Sequence, residues 1–350
     1  MDYNIILGTA GWGVWHSPDA GKSWVRHRAP FPLNSRIQAL AVLPGEPRGL
    51  LAAGDTGLFA SHDGGTSWKR IGAAGDLPTV WSLAVDPADP QTLFAGTRPA
   101  AVYRSRDGGW SWKRLDLAVA TECSIGKPFV TRVLVDPDDR RIVWAGVEID
   151  GVFRSVDGGD TWTKVVRGLS DLDVHDMAIA RTSPPTVFVS TNGEVFWSAD
   201  RGETWTPIGV KTRWPLPYAR GIAVKPDDPR VLFAGCGETT TGETGAVLRS
   251  SDGGQTWRSL PLPVRPTTAT TSPAYNARST SIRAWTAPNR FEIADSARTG
   301  PLRSIIPSSS WRDDDCPRFE AGVKGGGSDL DFNACKLGTN EHARTGREVT

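Results

Sequence analysis

The pattern Ser-x-Asp-x-Gly-x-Ser/Thr-Trp occurs six times in this 350-residue chain, at Ser17–Trp24, Ser61–Trp68, Ser105–Trp112, Ser155–Trp162, Ser198–Trp205 and Ser250–Trp257. The central aspartates Asp19, Asp63, Asp107, Asp157, Asp200 and Asp252 follow one another at 44, 44, 50, 43 and 52 residues. A period of this length marks one supersecondary unit used repeatedly, whose apolar faces are buried by stacking on neighbouring units.

The flanking sequence supplies the strands. Between boxes the chain runs through an apolar segment such as Val80–Val85 or Ala219–Val224, then a Pro-Asp turn such as Asp86–Pro90. A short strand ending in Ala-Gly follows, as in Leu93–Gly96, Val143–Gly146 and Leu232–Gly235. A third strand enters the box and a fourth leaves it with the Trp. Four short strands per unit, each bounded by Gly or Pro, predict an all-β chain of four-stranded β-propeller blades. The composition agrees: 38 Gly, 26 Pro and 15 Trp are the turns and packed rings of such units, and no long helical period is present.

At the hairpin between third and fourth strands, the box Asp is placed to accept hydrogen bonds from turn N–H groups and hydroxyls. The box Trp (Trp24, Trp68, Trp112, Trp162, Trp205, Trp257) buries its ring and gives its indole N–H to a local acceptor. The second Gly is present in every copy, whereas Ala20 and Arg201 replace the first, so the second position alone is expected to need positive φ.

These octapeptides resemble the Asp-box, or BNR, repeat of sialidases, xyloglucanases, sortilin-type receptors and the photosystem assembly factor of the Ycf48 type. The resemblance covers about residues 4–260. It implies a propeller whose boxes are outer structural turns remote from any ligand, and it implies no single activity, because those families do unrelated work.

The first unit begins at its second strand, since Asn4–Gly8 matches the Ala-Gly strand position. Residues 1–264 are expected to form the propeller. The seven-bladed members that the sequence resembles place a further box near residue 297, where none is found. From about Arg265 polar clusters without periodicity replace the repeat, so 265–350 reads as an irregular, low-complexity, disordered tail, an out-of-frame or divergent replacement of the last blade.

Forty basic residues against 39 acidic ones leave no field for nucleic acid, and no apolar run is long enough for a membrane span. The N-terminus lacks a signal-peptide pattern, which with the rest predicts a soluble cytoplasmic protein. Cys123, Cys236, Cys316 and Cys335 are spaced for neither a disulfide framework nor a zinc site, and the Asp-rich turns lack calcium-loop spacing. No metal or cofactor is expected.

Ligand sites in propellers lie at the mouth opposite the boxes. Loops leading into the first strands bring Arg36, Trp81, Arg132, Asp173, His175, Asp176, Trp214, Tyr218 and Arg220 there. Turns between second and third strands bring Trp12, Asp55, Arg98, Glu148, Asp150, Asn192, Glu194, Glu238 and Glu243. The reading taken is a non-catalytic module binding carbohydrate or protein through Arg132, Asp150, His175, Tyr218, Arg220, Trp81 and Trp214, together with Glu148, Asp176 and Glu238. The alternative is an Asp-box glycoside hydrolase, exo-sialidase-like or xyloglucanase-like. It needs two carboxyl groups across a sugar, drawn from Glu148, Asp176 and Glu238, with Trp81 or Trp214 as a stacking platform. Resemblance to sialidases further implies an arginine cluster and a Tyr nucleophile. Arg132, Arg220 and Tyr218 match that in part, but the Arg-Ile-Pro signature is absent. A third reading is a scaffold for an assembly process.

Overall fold

The computed structural model describes residues 4–260 apart from Pro47, Ala74, 121–125 and 240–243. The expected tail, Glu243, Tyr3, Tyr275 and three of the four cysteines lie outside the described residues; Cys236 is a buried free thiol.

Among the described residues six antiparallel sheets form the blades, each laid down in chain order from its inner to its outer strand. Blades two to six have four strands, with inner strands Ile37–Val42, Thr79–Asp86, Val130–Val135, Val174–Ala180 and Tyr218–Lys225. Blade one has three, Ile5–Thr9, Gly13–Ser17 and Val25–His27, and starts at the second-strand position. The Ala-Gly of each second strand has a packing cause. A Cβ on Gly96 would lie 2.6 Å from Val130 Cγ1, and one on Gly146 would lie 2.7 Å from Val174 Cγ1, so glycine admits the next blade's inner strand. Apolar side chains fill the spaces between consecutive blades; Phe94, Val102 and Leu115 of blade three, for example, pack with Val130, Val133 and Val143 of blade four.

All six boxes close the same way. The buried Ser hydroxyl donates to Asp Oδ1 at 2.7–2.9 Å. It accepts the N–H of the second Gly at 2.7–2.9 Å. Asp Oδ1 accepts the backbone N–H of the seventh box residue at 2.8–3.0 Å. Oδ2 accepts that residue's hydroxyl at 2.5–2.6 Å. Five indole N–H groups donate to the carbonyl of the second Gly, three residues back. Trp205 instead reaches the Val165 carbonyl of the preceding blade at 2.9 Å.

The expectation that only the second Gly needs positive φ is corrected. The first position is also left-handed, at φ 57–76° including Ala20 and Arg201, and the second lies at φ 84–97°. A short excursion near φ 60° is tolerated by side chains. The second position is restricted further by its neighbours. A Cβ there would meet Ile6 Cδ1 at 2.4 Å from Gly65, Leu115 Cδ1 at 2.8 Å from Gly159, and Trp144 Cζ3 at 2.9 Å from Gly202, each on the preceding blade. The box is therefore both a turn staple and the knob that seats one blade on the one before.

Two arginines reinforce that seat. Arg104 of blade three donates to the Gly158 carbonyl (2.7 Å) and Asp160 Oδ1 (2.9 Å) in the box of blade four. Arg154 of blade four reaches the Arg201 carbonyl and Glu203 Oε1 (2.9 Å) in the box of blade five.

Hydrogen bonds from the seventh-residue hydroxyl and N–H hold Asp107 and Asp157 at about 2, below the ordinary 3.8. The staples thus stabilise the fold fully above the unfolded-state value and lose that contribution as pH falls through about 2, so thermal stability should be flat near pH 6 and fall steeply between about pH 4 and pH 2. Asp63→Ala should cost about 1 kcal/mol by denaturant titration without altering ligand binding. Gly159→Ala should cost about 1–3 kcal/mol, and Gly158→Ala under about 1, by the same measurement.

Candidate functional site

The strand order puts the starts of the inner strands and the second-to-third turns at the edge of each blade opposite the box. Register shifts recur there in blades two to six, between Ile37/Ala39, Val80/Ser82, Val130/Arg132, Val174/Asp176 and Ala219/Gly221. Each bulge inserts one residue, namely Gln38, Trp81, Thr131, His175 or Arg220, and so changes the direction of a side chain at that edge; Thr131 is buried and donates to the Gly146 carbonyl at 3.1 Å.

The residue after the bulge stitches blades together. Ser82 Oγ accepts the Val133 N–H of blade four at 2.7 Å. Asp176 accepts the Met177 N–H at 2.9 Å and the Ile222 N–H of blade six at 3.3 Å, and lies 3.4 Å from Arg132 Nε of blade four. Asp176 is only 6% exposed. Both of its oxygens meet groups that join blades four, five and six.

A second cluster forms around Glu148, on the second-to-third turn of blade four. Glu148 is 8% exposed, its N–H bonded to the Phe129 carbonyl at 3.0 Å. Desolvation, helped by the nearby Asp173 carboxylate, raises its carboxyl to about 7 against the opposing pull of Arg98 and Arg220. From blade six, Arg220 donates to the Tyr218 hydroxyl at 2.7 Å and its guanidinium lies 5.0 Å from that ring's centroid. Burial lowers the Arg220 pKa and raises that of Tyr218. His175 of blade five donates from Nδ1 to the Ala219 carbonyl at 2.8 Å, which leaves Nε2 facing Asp173 Oδ2 at 3.5 Å. Its ring lies 5.3 Å from that of Tyr218. Trp81 of blade three stacks on Phe129 at 4.1 Å, and Arg98 approaches the Phe129 ring at 6.0 Å.

Four blades thus contribute to one group of ionisable and aromatic side chains. A carboxyl poised near 7 both donates and accepts hydrogen bonds at neutral pH, and two guanidinium groups beside it favour hydroxyl-rich or anionic ligand groups.

Other expected residues are placed elsewhere. Asp150 pairs with Lys164 of the outer strand at 2.5 Å and accepts the Ala120 N–H at 2.7 Å, so it fastens a connecting segment. Trp214 is corrected from a mouth platform to a core residue: it packs edge-on against the box Trp257 at 5.2 Å, with the one-turn helix Val210–Arg213 beside it. Glu194 caps that helix by accepting the Gly209 and Val210 N–H groups, both at 3.0 Å. Glu238 is exposed and its Oε1 meets the Thr244 N–H across its own loop at 3.4 Å. Asp173 and Arg98 were visible in the sequence as loop residues only. Their facing Glu148 depends on the placement of neighbouring blades.

These features define a β-propeller, and its six box turns resemble the Asp-box, or BNR, repeat. The family model described as "Sortilin, neurotensin receptor 3" matches residues 150–282. No curated protein matches the chain significantly. Among solved structures it is similar to the GH74 xyloglucanase of Xanthomonas campestris, with 22% identity and TM-score 0.57 over 72% of this chain and 43% of that one. The GH74 enzyme of Niastella koreensis gives 20% identity and TM-score 0.54 over 74% and 47%. A nidogen/laminin complex gives 11% and 0.50 over 71% and 89%. The chain spans less than half the length of those GH74 proteins. Among the described residues no helix is long and apolar enough to cross a membrane.

Because the Glu148 value is raised on folding, its contribution is fully present below the unfolded-state value and is lost as pH rises through about 7. Glu148→Gln should therefore raise stability at pH 8 by on the order of 2 kcal/mol and change it little at pH 4 to 5, measured by denaturant titration at both pH values.

Proposed function

We propose that this propeller is a binding module that takes a polar ligand, carbohydrate or protein, at the mouth of blades three to six. The observation that carries the reading is the convergence of Arg98, Glu148, Asp173, His175, Tyr218 and Arg220 from four blades. Beside them, the half-buried Trp81, backed by the buried Phe129, offers an aromatic edge of the kind that sugars and peptide side chains pack against. The six polar residues vary in type from unit to unit, whereas the box residues repeat, which favours a dedicated surface over a structural one. The likeness to a nidogen/laminin complex supports this as one use of such a fold, no further.

A second reading, glycoside hydrolysis, is favoured by one observation. Glu148, poised near 7 beside Asp173, has the character of a general acid paired with a second carboxylate. The GH74 likeness adds only that the fold accommodates such chemistry.

Titrating the chain with xyloglucan, sialylated and neutral oligosaccharides by calorimetry, alongside aryl-glycoside turnover assays, tests both. Binding that weakens at least about tenfold in Arg220→Met, a loss of 1.4 kcal/mol or more, with no turnover, supports the module. Turnover that falls at least about a hundredfold in Glu148→Gln supports the hydrolase. Binding unchanged in both variants sinks the proposed site.

A further inference from the structure

Blade six carries its own copy of the surface on which blades seat one another, and among the described residues no box turn hydrogen-bonds to it. In blades three and four that surface is an arginine, a large ring opposite it in register, and an apolar residue just past the outer strand. Arg104 stands opposite Phe94, and Arg154 opposite Trp144. Leu115 and Val165 hydrogen-bond to Val102 and Val152. The next box covers these groups, leaving Phe94 2% and Trp144 0% exposed. In blade six, Arg249 stands opposite Phe233, and Leu260 bonds to Val247 in the same way. Leu232 and Leu248, on alternate positions of the same strands, pack toward blade five. Phe233, Arg249 and Leu260 therefore face the other way. Phe233 and Leu260 are only half-buried, and among the described residues Arg249 makes no hydrogen bond or ion pair.

The repeats indicate what fits there. Each seated arginine binds a carbonyl of the box turn together with an acid at the sixth box position, Asp160 for Arg104 and Glu203 for Arg154. Both acids are engaged. The first box has Lys22 at that position, a cation unsuited to Arg249, and residues 261–350 contain no further octapeptide.

We propose that the face of blade six bearing Phe233, Arg249 and Leu260 docks an Asp-box hairpin of another polypeptide that carries Asp or Glu at its sixth position. The partner's second Gly lies flat on Phe233 and Leu260. Its turn carbonyl and carboxylate take the guanidinium of Arg249.

The probe is a disulfide-cyclised peptide of residues 195–207, the hairpin containing Glu203, compared with its Glu203→Lys form, each titrated into the full chain by NMR or calorimetry. The expected result is binding at least tenfold tighter for the Glu203 peptide, the order reversed in Arg249→Glu and the preference abolished in Arg249→Gln, with both variants folded by circular dichroism. Absence of binding by either peptide overturns the proposal, as does equal binding by both or a preference that survives Arg249→Gln. Wild-type self-association in sedimentation that Arg249→Gln abolishes would assign the face to a second copy of the chain and also overturn it.

Discussion

The second glycine of each Asp box is the contact on which the propeller depends. Folded into its turn by the Ser hydroxyl and the Asp carboxylate, it presents a flat backbone surface to the preceding blade, where a side chain would strike Ile6, Leu115 or Trp144. A turn that satisfies its own polar groups can be pressed against an apolar surface without leaving donors orphaned. The box Asp is therefore half-buried or exposed and yet structurally decisive, since it shapes the backbone that the neighbouring blade touches.

At the opposite edge the same unit plan is used differently. The residue after the inner-strand bulge links blades through Ser82, Arg132 and Asp176, each with a different chemistry. Repetition thus fixes where a side chain stands and leaves its identity open. Glu148, His175 and Arg220 occupy such positions, and their neighbours are set by which blades adjoin.

The architecture was legible because it rests on local rules: box spacing, Ala-Gly strands and Pro-Asp turns each state their role within a few residues. Even the start of blade one at its second-strand position could be read this way. The site was legible only by position. Assigning Glu148, His175, Tyr218 and Arg220 to the mouth needs the repeat alone, but whether a carboxylate is available or already bonded depends on contacts across blades. Asp176 and Glu148 look alike in sequence; one receives two N–H groups and an arginine, the other is desolvated beside Asp173. Trp214 was misplaced because a four-residue helix interrupts the unit and turns the ring toward Trp257, an interruption with no counterpart among the described residues of the other units. The left-handed first box position was hidden by Ala20 and Arg201, since φ near 60° does not demand glycine.

The inter-blade fastenings and the site share blades. Arg104 and Arg154 lock blade three to four and four to five, and Ser82 and Asp176 add bonds from three to four and five to six. Arg98, Glu148, Asp173, His175, Tyr218 and Arg220 are carried by those four blades. A group assembled from separate sheets keeps its geometry only if the sheets do not slide, and slippage of about 1 Å is enough to spoil a polar recognition site. The charged fastenings therefore lie where relative blade position matters most. The first two blades contribute none of these six side chains, and the position of Arg104 and Arg154 is filled there by His16 and Ala60, which form no such link.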